Sequence, residues 1–174
     1  MAERCKYVHG DICDAALLPK LKSQGPFNVV LANPPFLPNP AGTNTAAGAM
    51  YSTGGADGER VYKALVIAAA QGLLSHGGRL CVVSVTPNAE DLAKRVEAWL
   101  LREQLSLDGV LFRGSSTPIE KILKHPDRPL EQTCYTRACK ALGLHSMSPT
   151  LLMAGAAENH SANVACMGVH PGLF

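Results

Sequence analysis

Phe27-Asn28-Val29-Val30-Leu31-Ala32-Asn33-Pro34-Pro35-Phe36 is the stretch from which the rest of this chain can be read. Phe27 to Ala32 is a mostly apolar, β-favouring run, entered after Gly25-Pro26 and stopped at Asn33-Pro34-Pro35. An apolar run without alternation predicts a strand buried on both faces, as in a parallel sheet. The two prolines fix φ and keep the turn after the strand stiff.

Working outward, Lys6-Tyr7-Val8-His9 is a short strand candidate stopped by Gly10-Asp11. Leu37 to Met50 is Pro, Gly, Ala, Asn and Thr without periodicity, a loop long enough for a functional lid. Val61, Leu65, Ala68, Ala69 and Gly72 recur at helical spacing and predict a helix over Glu59 to Leu74, bounded by Asp57 or Gly58 and stopped by Gly77-Gly78. Arg79 to Val85 reads as another buried strand. Ala89 to Gln104 is a helix with Leu92, Val96, Trp99 and Leu100 on one face, and Asp108 to Phe112 is a strand. Leu130 to Leu142 reads as a helix ended by Gly143, and Leu144 to Ala154 as the final strand, broken by Ser148-Pro149. Strands alternating with helices make an α/β parallel sheet the most economical architecture. Loops after the strands' C-terminal ends form the ligand crevice in such sheets, and Asp11, Asn33 and Thr86 sit at those ends.

The 174 residues suit one globular domain, and 47% hydrophobic with 17% charged residues argues against disorder. Apolar runs such as Leu65 to Ala70 fall far short of the roughly 18 residues of a membrane span. Glu3, Arg4, Lys6 and Asp11 interrupt any secretory core at the start. A net charge of +2 singles out neither a nucleic-acid binder nor a membrane-surface protein. No Lys or Arg lies between Ser23 and Gly58 or after Lys140, so the tail is no basic arm. Six scattered cysteines read as reduced intracellular thiols. Cys134 and Cys139 with a nearby histidine fall short of four zinc ligands at usual spacing.

The chemistry concentrates at Asn33-Pro34-Pro35-Phe36. An amide or exocyclic amino nitrogen is a poor nucleophile because its lone pair is delocalised into the adjoining π system. Acceptors on both its N–H bonds favour a more pyramidal nitrogen and aim the lone pair at an electrophile. The Asn33 side-chain oxygen and the Pro34 carbonyl can be those acceptors, held ready by the prolines. Phe36 offers a flat face to a planar amide or base. The plainer reading is a proline-rich turn in which Asn33 satisfies local backbone.

Phe27 to Phe36 resembles motif IV of the class I S-adenosylmethionine-dependent amino-methyltransferases, which include release-factor glutamine N5-methyltransferases and N6-adenine and N2-guanine enzymes. Gly54-Gly55-Ala56-Asp57-Gly58-Glu59 is similar to the G-G-x-D-G stretch of the glutamine branch, and Leu73 to Leu80 to the family's L-x-x-G-G-x-L. The resemblance covers roughly residues 7 to 100. It implies a Rossmann-like sheet of order 3-2-1-4-5-7-6 and the cofactor S-adenosylmethionine. Asn33, Pro34, Pro35 and Phe36 would clamp the substrate nitrogen, with Asn33 also at the cofactor. Asp11, after the third strand, would accept from the cofactor's adenine amino group. Asp57 matches the G-G-x-D-G position, with a helix-capping role as the alternative. No general base is implied, because the attacked methyl sits on a sulfonium and the amine can lose its proton afterwards.

The family's E/D-x-G-x-G-x-G loop is not in this sequence. The expectation is therefore an incomplete methyltransferase domain over residues 1–154, lacking strands 1 and 2 and the glycine-rich loop, followed by a tail over residues 155–174. The implied activity is methyl transfer to an amide or amino nitrogen, leaning to protein glutamine N5. A nucleobase such as N6-adenine is the alternative substrate, and a non-catalytic remnant the alternative function. A dinucleotide-binding dehydrogenase is disfavoured, since no G-x-G-x-x-G follows a strand.

Overall fold

A computed structural model describes residues 5–39, 53–122, 136–156 and 163–168. Its centre is a six-stranded sheet. The strands are β1 (Phe27–Ala32), β2 (Leu74–Pro87), β3 (Leu107–Arg113), β4 (Thr117–Pro118), β5 (Ser146–Ala156) and β6 (Asn163–Gly168). Their order is β1-β2-β5-β3-β6, with β4 paired to the start of β5. The sheet is mixed rather than parallel: β1 runs parallel to β2 and β6 to β3, but β5 lies antiparallel between β2 and β3. The C-terminal ends of β1, β2 and β3 consequently share one edge of the molecule, which is where Asn33 emerges.

The helices are α1 (Leu17–Lys22), α2 (Arg60–Ala68), α3 (Leu92–Arg102), α4 (Ile119–Ile122) and α5 over residues 136–141. On α3, Leu92, Val96, Trp99 and Leu100 form the expected buried stripe at i, i+4, i+7 and i+8. They pack with Tyr62 and Val66 of α2 against Leu80, Val82, Leu111 and Leu152 of the sheet. The Tyr62 and Trp99 rings meet at 6.4 Å between centroids, tilted by 59°. Each such fully buried side chain contributes about 1.5–3 kcal/mol of transfer free energy.

Among the described residues only that face is covered by helices. Val29 and Leu31 are 56% and 75% exposed, and Val83, Met153 and Met167 on the same side of the neighbouring strands are also exposed. This corrects the expectation that β1 and β2 are buried on both sides: a continuous apolar run does not reveal whether both its faces find partners. Among the described residues β1 is also an edge strand, paired with β2 alone. The expected strand over Lys6 to His9 does not form. The segment has no strand beside it among the described residues, and Tyr7 is 96% exposed.

Three other boundaries move. The helix expected to reach Leu74 is regular through Ala68 and widens into a π-type turn over Ala69–Leu73. Gly72, at φ +89°, ends it, and Gly77-Gly78 falls inside β2 instead. β5 runs unbroken through Pro149, which pairs in register with Val85. Pro149's carbonyl accepts from the Gly114 amide, just past Arg113, the last β3 residue in register with β5. The missing proline N–H therefore faces the end of a neighbour where no ladder bond is needed. Finally, residues 155–156 and 163–168, expected as a tail, close β5 and form β6. Much of the Leu37–Met50 loop, and residues 130–135 of the helix expected before Gly143, lie outside the described residues.

The turn after β2 is a junction. Asn88 adopts a left-handed conformation (φ 41°, ψ 53°). Its side-chain oxygen accepts from the amides of His145 and Ser146 at 3.0 and 3.3 Å, and its Nδ2 donates to the Gly143 carbonyl at 2.7 Å. One side chain thus ties the end of β2 to the entrance of β5.

Candidate functional site

Asn33 follows directly on the last residue of β1. Its side chain is exposed and makes no hydrogen bond among the described residues, so it does not serve the local backbone. Pro34 is buried beneath it, while Pro35 and Phe36 are half-buried. Leu37 then pairs with Thr53 in an isolated parallel bridge.

That bridge joins the turn to a second segment, Thr53 to Gly58, which crosses it like a strap. The Gly54 amide donates to the Leu37 carbonyl at 2.8 Å, and the Asn39 amide donates to the Gly55 carbonyl at 2.7 Å. The segment folds back on itself, with the Arg60 amide bonded to the Gly54 carbonyl at 2.6 Å. Gly58, at φ +85°, lies against both the turn and the end of β2. A Cβ there would stand 2.5 Å from the Phe36 carbonyl oxygen and 3.1 Å from Pro87 Cγ. Glycine is needed on both counts, conformation and room. Asp57 is exposed, and its Oδ1 accepts from the Glu59 amide at 2.9 Å just before α2. Asp57 thus closes a short turn leading into α2, whose N-cap residue is Glu59 and which has no side-chain cap.

Asp11 reaches this assembly through Arg60. Its Oδ1 accepts from the Cys13 amide at 2.9 Å and its Oδ2 from Arg60 Nη2 at 3.0 Å. The Cys13 amide, with a smaller push from the Arg60 charge, holds the Asp11 carboxyl below the usual range. Because Arg60 also bonds the strap through its amide, the chain of contacts runs from Asp11 through Arg60 and Gly54 to Leu37 and the turn. Asp11 and Asn33 are joined by that chain and not by a hydrogen bond of their own.

A part-buried ion pair behind the strap, with Glu59 buried and Arg95 half-buried, had no sequence signal. Glu59 accepts from Arg95 Nε at 3.1 and 3.0 Å and from Nη2 at 2.6 Å. Arg95 also donates to the Pro87 and Asn88 carbonyls at 2.8 and 3.0 Å. Desolvation raises the Glu59 carboxyl above its ordinary value and outweighs the opposing pull of Arg95. Nearby Tyr62 keeps its hydroxyl buried without a hydrogen-bond partner, and burial raises its pKa as well. Thirty-six positions separate Glu59 from Arg95, which is why no local pattern linked them.

S-adenosylmethionine, the cofactor the resemblance implies, meets only part of what it needs in these residues. Asp11 has lone pairs left for an adenine amino group, since a carboxylate has about four acceptor positions. The methionine and ribose parts find no equivalent: the sequence has no E/D-x-G-x-G-x-G loop, and among the described residues no strand pairs with the side of β1 that faces away from β2. The described residues offer one acceptor for an adenine amino group and do not fit the rest of the cofactor.

Among the described residues no three His, Cys, Asp or Glu side chains come together as a metal site, and Cys134 lies outside those residues. None of the described helices is long and apolar enough to cross a membrane. No protein-family model matches the chain, and no curated protein matches it.

Proposed function

We propose that this chain is the substrate-holding part of an S-adenosylmethionine-dependent N-methyltransferase acting on a planar NH2 group, with a protein glutamine side chain as the leading substrate. Asn33 Oδ1 and the Pro34 carbonyl accept the two N–H bonds of that group, and Phe36 stacks on its plane. The single observation carrying this reading is the Asn33 carboxamide, exposed and unpartnered on a proline-stiffened turn at the C-terminal end of β1. A polar group held ready in that way costs little to reorganise when a substrate arrives.

The topology supports the same reading. Four strands, in the order β1-β2-β5-β3, follow the 4-5-7-6 half of the methyltransferase sheet with β5 antiparallel between its neighbours, while β6 beyond β3 has no counterpart in that order. Strands 1 and 2 would then join the bare edge of β1, and their helices would cover the uncovered apolar face. The cradle for the methyl donor belongs to that half, so the chain by itself binds S-adenosylmethionine weakly or not at all. A second reading, a remnant that keeps the turn without methyl transfer, is favoured by the same bare edge.

Nuclear magnetic resonance titration tests the clamp in the chain as it stands. A glutamine-containing peptide should shift the Asn33 side-chain amide and the Phe36 ring saturably, and its glutamate counterpart should not. Larger shifts with adenosine would transfer the proposal to nucleobases. No shift with any planar NH2 compound sinks it.

A further inference from the structure

We infer that Glu59 and Arg95 are positioning residues: together they set where the Gly54–Gly58 strap lies on the Asn33–Phe36 turn. The inference rests on the clamp reading for its purpose, but its geometry stands by itself.

The strap has two fixed points on the turn, the Gly54–Leu37 and Asn39–Gly55 hydrogen bonds. Its far end needs an anchor, because Gly58 must sit between the Phe36 carbonyl and Pro87 with no room to spare. The next residue, Glu59, supplies it. Its carboxylate is gripped by the Arg95 fork, and the same guanidinium holds the Pro87 and Asn88 carbonyls. Arg95 therefore measures the distance between the strap and the end of β2, and Phe36 lies against the strap. A lysine has no fork with which to do this.

Stability is a poor reason for such a pair. Burial of Glu59 works against its charged form even with Arg95 beside it, and apolar replacements of buried ion pairs are often neutral or stabilising. What the pair does provide is a defined geometry at one point of the site.

The test compares the 174-residue chain with the double variant Glu59→Gln, Arg95→Met, which removes both charges without leaving one buried alone. Amide hydrogen exchange is followed at Gly54 and Asn39, the strap amides, whose bonds join the strap to the turn segment, and at Leu80 and Leu152 in the sheet. The expected result is a loss of protection of about tenfold or more at the strap amides, with the sheet amides unchanged and the thermal midpoint the same or higher. Unchanged exchange at Gly54 and Asn39 overturns the inference. So does loss of protection in equal proportion at all four amides, or a double variant that fails to fold, because the pair would then only stabilise the fold. Exchange needs no turnover, so the result stands whether or not a planar NH2 compound binds at Asn33. If one does bind, its affinity should also fall in the double variant.

Discussion

The carbonyl oxygen of Phe36 lies so close to Gly58 that a side-chain carbon added there would stand 2.5 Å away. Gly58→Ala meets that backbone oxygen and must also hold a φ of +85°. The substitution should cost about 1–3 kcal/mol of stability, more if the strap cannot shift. Chemical denaturation measures the cost, and loss of the Asn39 and Gly54 amide protection locates it.

Asn33→Ala should behave in the opposite way. The side chain is exposed and unpartnered, so folding stability should change by no more than about 0.5 kcal/mol. Binding of the glutamine peptide should be lost. In a polypeptide that also carries the donor's cradle, turnover should fall more than affinity for S-adenosylmethionine. Parental turnover in that variant would show that the clamp is assigned to the wrong residue.

Glu59 and Asp11 give stability-versus-pH slopes of opposite sign. The folded Glu59 carboxyl lies above its unfolded value of 4.5, so the folded state binds that proton more tightly. Its contribution should rise as pH falls through the folded pKa toward 4.5, and Glu59→Gln should flatten that slope. The folded Asp11 carboxyl lies below 3.8. Its contribution is present above that value and lost as pH falls through the folded pKa. Urea unfolding from about pH 7 down to about pH 3 separates the two.

Neighbouring residues on the two faces of the sheet should differ sharply. Leu80 is fully buried against the helices and Leu31 is 75% exposed on the open side. Leu80→Ala should cost about 2–5 kcal/mol, and Leu31→Ala well under 1 kcal/mol. Similar costs would mean that the open face is covered in solution.

Calorimetric titration of the chain with S-adenosylmethionine should give no saturable heat in the micromolar range. Micromolar binding would show that residues outside the family's glycine-rich pattern can cradle the donor.

Much of this arrangement could be read in advance, for identifiable reasons. The end of β1 was legible because proline both fixes φ and lacks a donor, and the buried face of α3 because four large apolar residues recur at helical spacing. Asp57 was readable as an acceptor for a backbone amide just before the helix since its partner is two positions away. The helix end was misplaced because Gly72 and Gly77-Gly78 are equally permissive, and only packing against α1 and the sheet selects between them. Pro149 looks like a break in sequence, but a strand tolerates it when its donor side faces the end of a neighbour. The one-sided core and the Glu59–Arg95 pair depend on which distant segments meet, and nothing local encodes that.

The left-handed turn at Asn88 carries a last consequence. Its carboxamide holds the segment from Gly143 to Ser146, while its own carbonyl is held by Arg95. The end of β2 is thus tied to the turn between α5 and β5, more than fifty positions downstream. An insertion between Gly143 and Ser146 would lie far along the chain from Asn33, yet it would loosen the hold of Asn88 on the end of β2 and, on the proposed reading, the seat of the clamp.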